Sequence, residues 1–404
     1  MSAMNGLTRS RSRGRLLGVA LVAVFAIAGL YASSASAFVT TKTDVGLGDS
    51  LAFGYSQQLF NEHLLQGEPP NAFEHGYVND YWSRLKPREN GIGLTNLGCP
   101  GETTDSMIGN GPLATALENN PLLVGPGGQK PHGEAPCAYH YADGLPLHHE
   151  YGGTKSQLES LIQVYTESAL GGKPVSMITL NIGANDELHQ ISACEKFGES
   201  EAIKLFLEGK ITEAEIKPVA EQFAKGCILG EAPKLFEHIL VNMSAVLAVI
   251  RTPQAEGGLG YAGPIVAQGG YDPYGFVFSL EEEALPGSNL LALKLNQNEE
   301  ATVAKFGVCF ANPQPVFNPT TVTGTKKAKR TTEGLEKEHL EKFTNMLNMT
   351  VTTVAGTPLH YGEKNVEVLP GVKTSADGPD IHPTPAGYMK LSSIMTTDCG
   401  TFGE

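Results

Sequence analysis

Four short segments, far apart in a chain of 404 residues, carry residue types that could work together in nucleophilic chemistry. The first is Gly46-Leu47-Gly48-Asp49-Ser50-Leu51-Ala52-Phe53-Gly54, where an apolar strand would end in a Gly-bearing turn and enter a helix. Such a turn exposes a hydroxyl at the carboxyl end of a strand, the place where open parallel sheets bind ligands. A serine hydroxyl is a weak nucleophile: it needs a histidine base beside it, and the acyl-transfer intermediate needs hydrogen-bond donors for its oxyanion. Taken alone, the segment equally fits an ordinary turn whose Asp49 or Ser50 caps the following helix.

The other three segments supply what a serine lacks. In Asn96-Leu97-Gly98-Cys99-Pro100-Gly101-Glu102-Thr103-Thr104, Gly101 can offer a backbone N–H with no side chain in the way. In Asn181-Ile182-Gly183-Ala184-Asn185-Asp186-Glu187, at the end of an apolar run, the Asn185 amide can aim two hydrogens into the same pocket. Asp377-Gly378-Pro379-Asp380-Ile381-His382-Pro383-Thr384-Pro385-Ala386-Gly387-Tyr388 is a Pro-punctuated turn that presents a histidine with acids close by. Singly these fit a plain loop, an Asx turn and a surface histidine.

Together, and in this order, the four segments resemble the SGNH hydrolases, also called the GDSL esterase/lipase family, whose blocks carry Ser, Gly, Asn and His. The resemblance implies a three-layer α/β/α, flavodoxin-like fold with a central parallel sheet. It also implies hydrolysis of carboxylic esters, lipid or small acyl, through an acyl-serine without metal or organic cofactor. Carried over block by block, Ser50 is the nucleophile, His382 the general base, and the oxyanion hole combines the Ser50 and Gly101 amides with the Asn185 side chain. The family usually places Asp three residues before His, and Pro379 stands there. Asp380, two before, is the first choice of acid, and Asp377, five before, the second. An acetylated-carbohydrate esterase, an acyltransferase on the same triad, and a surface-binding protein that retains the fold without turnover are the alternatives.

The elements that must position these residues follow from apolar runs. Thr43–Leu47, Val175–Ile182 (closed by Gly183) and Gly263–Gln268 (closed by Gly269-Gly270) are expected strands. Apolar residues three and four apart predict helix within about 198–251 and over Gln157–Leu170, Ser288–Lys305 and Thr332–Leu347. Alternating strands and helices predict a parallel sheet covered on both faces. Residues 110–155, rich in Gly, Pro and His, read as one long ordered loop. With no repeat and no linker, residues 38–404 form one domain, whose length beyond a minimal family member falls into insertions at about 102–174 and 187–260. In the family such insertions tend to shape the acyl and alcohol pockets.

Composition bounds the rest. Hydrophobic residues at 41% and charged residues at 18% exclude a mainly disordered chain. A formal charge of −14 argues against a nucleic-acid partner held by general electrostatics. Arg9, Arg11, Arg13 and Arg15 precede an apolar run from Leu16 to Leu30 and the small residues Ala35-Ser36-Ala37, so residues 1–37 read as a secretory signal peptide. Its removal takes away four Arg and no acid, and no second segment reads as a membrane span. The six cysteines all follow it, and an oxidising destination makes three disulfides the expectation. Closeness along the chain favours Cys99 with Cys137 and Cys194 with Cys227, leaving Cys309 with Cys399. Bridged secreted actinobacterial members of the family are similar in this respect. No C-x-x-C pair exists, and His132, His140, His148 and His149 lack carboxylates or thiols at ligand spacing, so no metal is expected.

Overall fold

A computed structural model of the chain describes residues 42–57, 59–60, 75–85, 92–137, 155–194, 229–273, 287–319, 342–345 and 380–400, with short pieces between them. The segment 1–37, Asp377, Cys227, His140, His148, His149 and most of Thr332–Leu347 lie outside the described residues. Five strands, β1 (Thr43–Gly48), β2 (Gly93–Asn96), β3 (Val175–Asn181), β4 (Ile265–Gln268) and β5 (Cys309–Ala311), make one sheet in the order β2-β1-β3-β4-β5. Every pairing in it is parallel. The chain runs from β1 outward to β2 and then returns to the other side of β1 as β3, so the strand order reverses between β1 and β3. Ligands of such sheets bind outside the carboxyl ends of the strands at that reversal.

Alternation along the strands divides the apolar residues between two cores. Val45, Leu47, Ile178, Leu180, Ile265 and Ala267 face one side. There they meet Met107 and Ile108 of α3 (Thr104–Ile108), Leu113 and Leu117 of α4 (Pro112–Glu118), Leu158 and Leu161 of α5 (Gln157–Leu170), and Val246 and Ile250 of α7 (Leu229–Arg251). Met177, Val266 and Ala311 face the other side. They pack with Leu51 and Ala52 of α1 (Ser50–Phe53), Tyr77, Val78 and Tyr81 of α2 (Tyr77–Leu85), and Leu391 and Met395 of α10 (Pro385–Cys399). The result is a three-layer α/β/α arrangement. Helices α6 (Ala184–Cys194), α8 (Gly287–Val303) and α9 (Gln314–Phe317) complete the described helices used below.

Three expectations change. Residues 110–155 are not a single loop: Pro112 opens α4, because a proline at the first helical position loses no hydrogen bond there, and a 3-10 turn follows at Pro121–Leu123. The sheet has two further strands, β2 and β5, too short to leave an apolar run. Helix α7 is long and apolar enough, by length and composition, to cross a membrane, contrary to the sequence reading. Its apolar content has a packing cause, since Ile239, Ala245, Leu247 and Ile250 are fully buried in the fold. Cys99 is bonded to Cys137 and Cys309 to Cys399; the Cys194–Cys227 pairing lies outside the described residues.

Candidate active site

Ser50 is placed by the end of β1. Gly48 adopts φ +142°, a conformation that L side chains rarely reach, and a Cβ there would stand 2.4 Å from the Asn181 carbonyl oxygen on β3. The chain therefore turns sharply at Gly48, and Asp49 caps the new helix by accepting a hydrogen bond from the Leu51 amide at 2.9 Å. Ser50 is then the first residue of α1, 8% exposed.

His382 approaches from the far end of the chain, just before Thr384 caps α10. Its Nε2 lies 2.9 Å from Ser50 Oγ and its Nδ1 2.6 Å from Asp380 Oδ1. The same Asp380 oxygen accepts from the His382 backbone amide at 3.1 Å, an Asx turn that carries the carboxylate round to the ring two residues on. That turn is why an acid two residues before the histidine reaches Nδ1, although the position three before holds proline. The second Asp380 oxygen accepts from the Gln57 amide at 3.0 Å. With Nδ1–H given to Asp380, Nε2 is left to accept the Ser50 proton. The Tyr55 ring meets the imidazole edge-on, with centroids 4.8 Å apart.

The other residues expected to donate to an oxyanion follow β2 and β3. Beyond β2 the chain crosses beneath β1, with the Cys99 amide donating to the Gly48 carbonyl at 3.1 Å. It turns at Gly101, whose φ of +82° requires glycine. Among the described residues no acceptor takes the Ser50 or the Gly101 amide. Asn185, in the first turn of α6, donates one amide hydrogen to the Glu102 carbonyl at 2.9 Å, which leaves the other free. Asp186 fixes that helix start to α3, accepting from the Thr104 amide at 3.0 Å and the Thr104 hydroxyl at 2.6 Å.

Four neighbouring carboxyls are desolvated: beside Asp49 and Asp186, burial raises Glu187 to about 8, with Asp272 and Asp186 adding to it, and holds Glu299 well above its ordinary value. Burial pushes Asp49 up to about 7, against the pull of the Leu51 amide and of His382. Burial likewise raises Asp186 to about 6, opposed by its two bonds from Thr104. The sequence marks Asp49 only as a cap and gives Asp186 no role. The signals were present, an Asp before Ser at a strand-to-helix turn and an Asp in the first turn of a helix after a strand, but each reads as a plain cap until the partner is known. Cys99, Glu102 and Cys137 form a tight group of ligand-type atoms, yet the two sulfurs are joined to each other and offer no thiolate. His132 pairs with Glu118 at 3.2 Å on the exposed side of α4.

No family model and no curated protein matches the chain. Among solved structures, an extracellular lipase from Streptomyces rimosus is similar at 12% identity over 89% of this chain and all of that one, with a TM-score of 0.41. A phospholipase A1 from Streptomyces albidoflavus is 12% identical over 89% of this chain and 99% of that one, at 0.38. An acetylxylan esterase from Geobacillus stearothermophilus is 11% identical over 90% and 96%, at 0.35. At these scores the likenesses carry no weight of their own: the fold rests on the sheet order, and the site on its distances.

Proposed function

We propose that this chain is an exported serine hydrolase of carboxylic esters, with lipid or small acyl esters as substrates. The observation that supports it best is the unbroken hydrogen-bond chain from Ser50 Oγ to His382 Nε2, 2.9 Å, and from His382 Nδ1 to Asp380, 2.6 Å. In this reading Ser50 Oγ attacks the ester carbonyl as its proton passes to Nε2, and Asp380 holds the ring in the required tautomer and stabilises the imidazolium. The Ser50 and Gly101 amides and the free Asn185 hydrogen receive the developing oxyanion. The imidazolium then protonates the departing alcohol. Water, activated by the same nitrogen, releases the acid from Ser50. Export is supported by the Arg-led apolar segment ending in Ala35-Ser36-Ala37 and by the two disulfides.

The test is turnover of a chromogenic ester series, acetyl to long-chain acyl, by the disulfide-intact protein beside its Ser50→Ala variant. Turnover that disappears in the variant is the expected result, and the chain-length profile separates small-ester from lipid pockets. Turnover that survives Ser50→Ala would overturn the reading. Products formed with an added alcohol distinguish transfer from hydrolysis.

A further inference from the structure

Gln157, the first residue of α5, is fully buried although its side chain is an amide. Ser156 and Glu159 form a capping box that fixes this end of α5, so the Gln157 side chain leaves the helix at a set angle. Its Oε1 accepts from the Gly48 amide at 2.9 Å, and its Nε2 donates to the Gly48 carbonyl at 2.5 Å and to Glu102 Oε2 at 2.6 Å. Only a carboxamide can meet a backbone N–H and C=O together and still donate to a carboxylate. Glu102, also fully buried, takes the Ser106 hydroxyl on its other carboxylate oxygen at 2.6 Å and the Asn185 amide on its backbone carbonyl at 2.9 Å.

These bonds close a frame around the reacting centre. Gly48 is two residues before Ser50, Glu102 directly follows Gly101, and the Glu102 carbonyl holds Asn185. From the serine-hydrolase reading given above, on which this rests, we infer that Gln157 and Glu102 are positioning residues that lock the three oxyanion donors into one rigid unit. The partners of Gln157 lie 109 and 55 residues away in the chain, so α5 registers the end of β1 against the loop after β2. A donor displaced by even about 1 Å can cost about 10²-fold in rate, which sets the scale of the effect.

The test uses the full disulfide-intact enzyme and its Ser50→Ala, Gln157→Met, Gln157→Glu and Glu102→Gln variants. A fluorophosphonate titrates the competent sites, and kcat per titrated site and KM are read separately. Gln157→Met keeps the bulk and loses the bonds, and its kcat per site should fall roughly 10- to 100-fold with KM within about threefold. Gln157→Glu sets a carboxylate against Glu102 and the Gly48 carbonyl, so its kcat relative to wild type should fall as pH rises and the shared proton is lost. Glu102→Gln can go on accepting from Gln157 only by turning its own amide nitrogen to Ser106 Oγ, which reverses that bond, so its kcat per site should fall, but less than that of Gln157→Met and with no added pH dependence. If Gln157→Met yields no titratable sites, the pH dependence of Gln157→Glu against Glu102→Gln decides. A residue that only docks α5 would lower the number of sites or the melting temperature and leave kcat per site unchanged. That result, or a Gln157→Glu profile parallel to wild type, would overturn the inference. A wild type whose turnover survives Ser50→Ala would instead overturn the serine-hydrolase reading itself.

Discussion

The two halves of the candidate site are built to different tolerances. On the Ser50 side, four elements meet: α5 through the buried Gln157, the loop after β2 through the buried Glu102 and the Cys99–Cys137 disulfide, α6 through the half-buried Asn185, and β2 through the buried Asn96, which donates to the Ala52 carbonyl at 2.8 Å. On the His382 side, the bonds among the described residues are those to the segment's backbone carbonyls, the pairing of Pro383 and Thr384 with Phe343, Thr344 and Asn345, and one loop amide. The Asn345 amide and the Tyr271 hydroxyl donate to the His382 and Ile381 carbonyls at 2.9 and 2.6 Å, and the Gln57 amide donates to Asp380. Donors that meet developing charge act by being fixed in advance. A base needs only hydrogen-bond reach to the nucleophile and an orienting partner. The denser wiring therefore stands where displacement would cost most.

The largest expected effect breaks the base half. Asp380→Asn preserves the shape and removes the charge that holds the Nδ1–H tautomer, and should lower kcat by about 10³- to 10⁴-fold. Asp377→Asn should leave turnover near wild type, and equal losses in both would show that the acid is shared. On the nucleophile half, Asn185→Ala removes one donor and leaves two, so kcat should fall by about 10²- to 10³-fold with KM little changed. Steady-state kinetics on one activated ester checks both. A loss confined to KM in the Asn185 variant would mean that this amide binds the ground state and not the oxyanion.

The same contrast governs what the sequence made legible. Strands β1, β3 and β4 are short, largely apolar segments closed by glycine, because both their faces are covered, and α5 and α8 carry a helical period, so their positions follow from pattern alone. Strand β2 lies at the sheet edge with most of its residues part-exposed, and β5 has three residues, so neither leaves a run to read. Helix α10 is hidden in the sequence although Tyr388, Leu391 and Met395 recur at helical spacing after the Thr384 cap, because Pro383 and Pro385 carry the signature of a turn. Ser50, Gly101, Asn185, Asp380 and His382 stand in local motifs and were readable as such. Gln157 and Glu102 were not, since a glutamine inside a helical pattern reads as surface until its partner 109 residues away is known.

Burial of the nucleophile half also ties its stability to pH. A carboxyl held above its ordinary value binds more protons folded than unfolded, so its stabilising contribution is complete below about 4 and is lost as pH rises. For Asp49 the loss runs from the model-peptide value of 3.8 to about 7. Asp49→Asn keeps an oxygen to cap α1 and has no proton to lose. The variant should decline less than wild type in denaturant-melt stability between about pH 5 and 8, by on the order of 2–3 kcal/mol. Asp186, Glu187 and Glu299, all raised by burial, should keep a slope of the same sign in the variant. Parallel wild-type and variant profiles would place the pH-sensitive burden elsewhere.

The smallest expected effect probes the looser half directly. Tyr271 stacks on Phe317 with centroids 4.6 Å apart and gives its hydroxyl to the Ile381 carbonyl, next to His382. Tyr271→Phe leaves the stack in place and removes the bond to the Ile381 carbonyl. It should cost about 0.5–1.5 kcal/mol in stability. The base segment keeps its bonds from Asn345 and Gln57, so His382 should remain within reach of Ser50 and kcat should fall by no more than about threefold, well below the loss in Asn185→Ala. Urea melts and kcat measured on the same preparations check the two numbers together. A loss of activity as large as that of Asn185→Ala would show that the histidine must be held as closely as the oxyanion donors. The two halves would then share one tolerance, and the bonds that hold His382 among the described residues would be as limiting for turnover as the frame around Ser50.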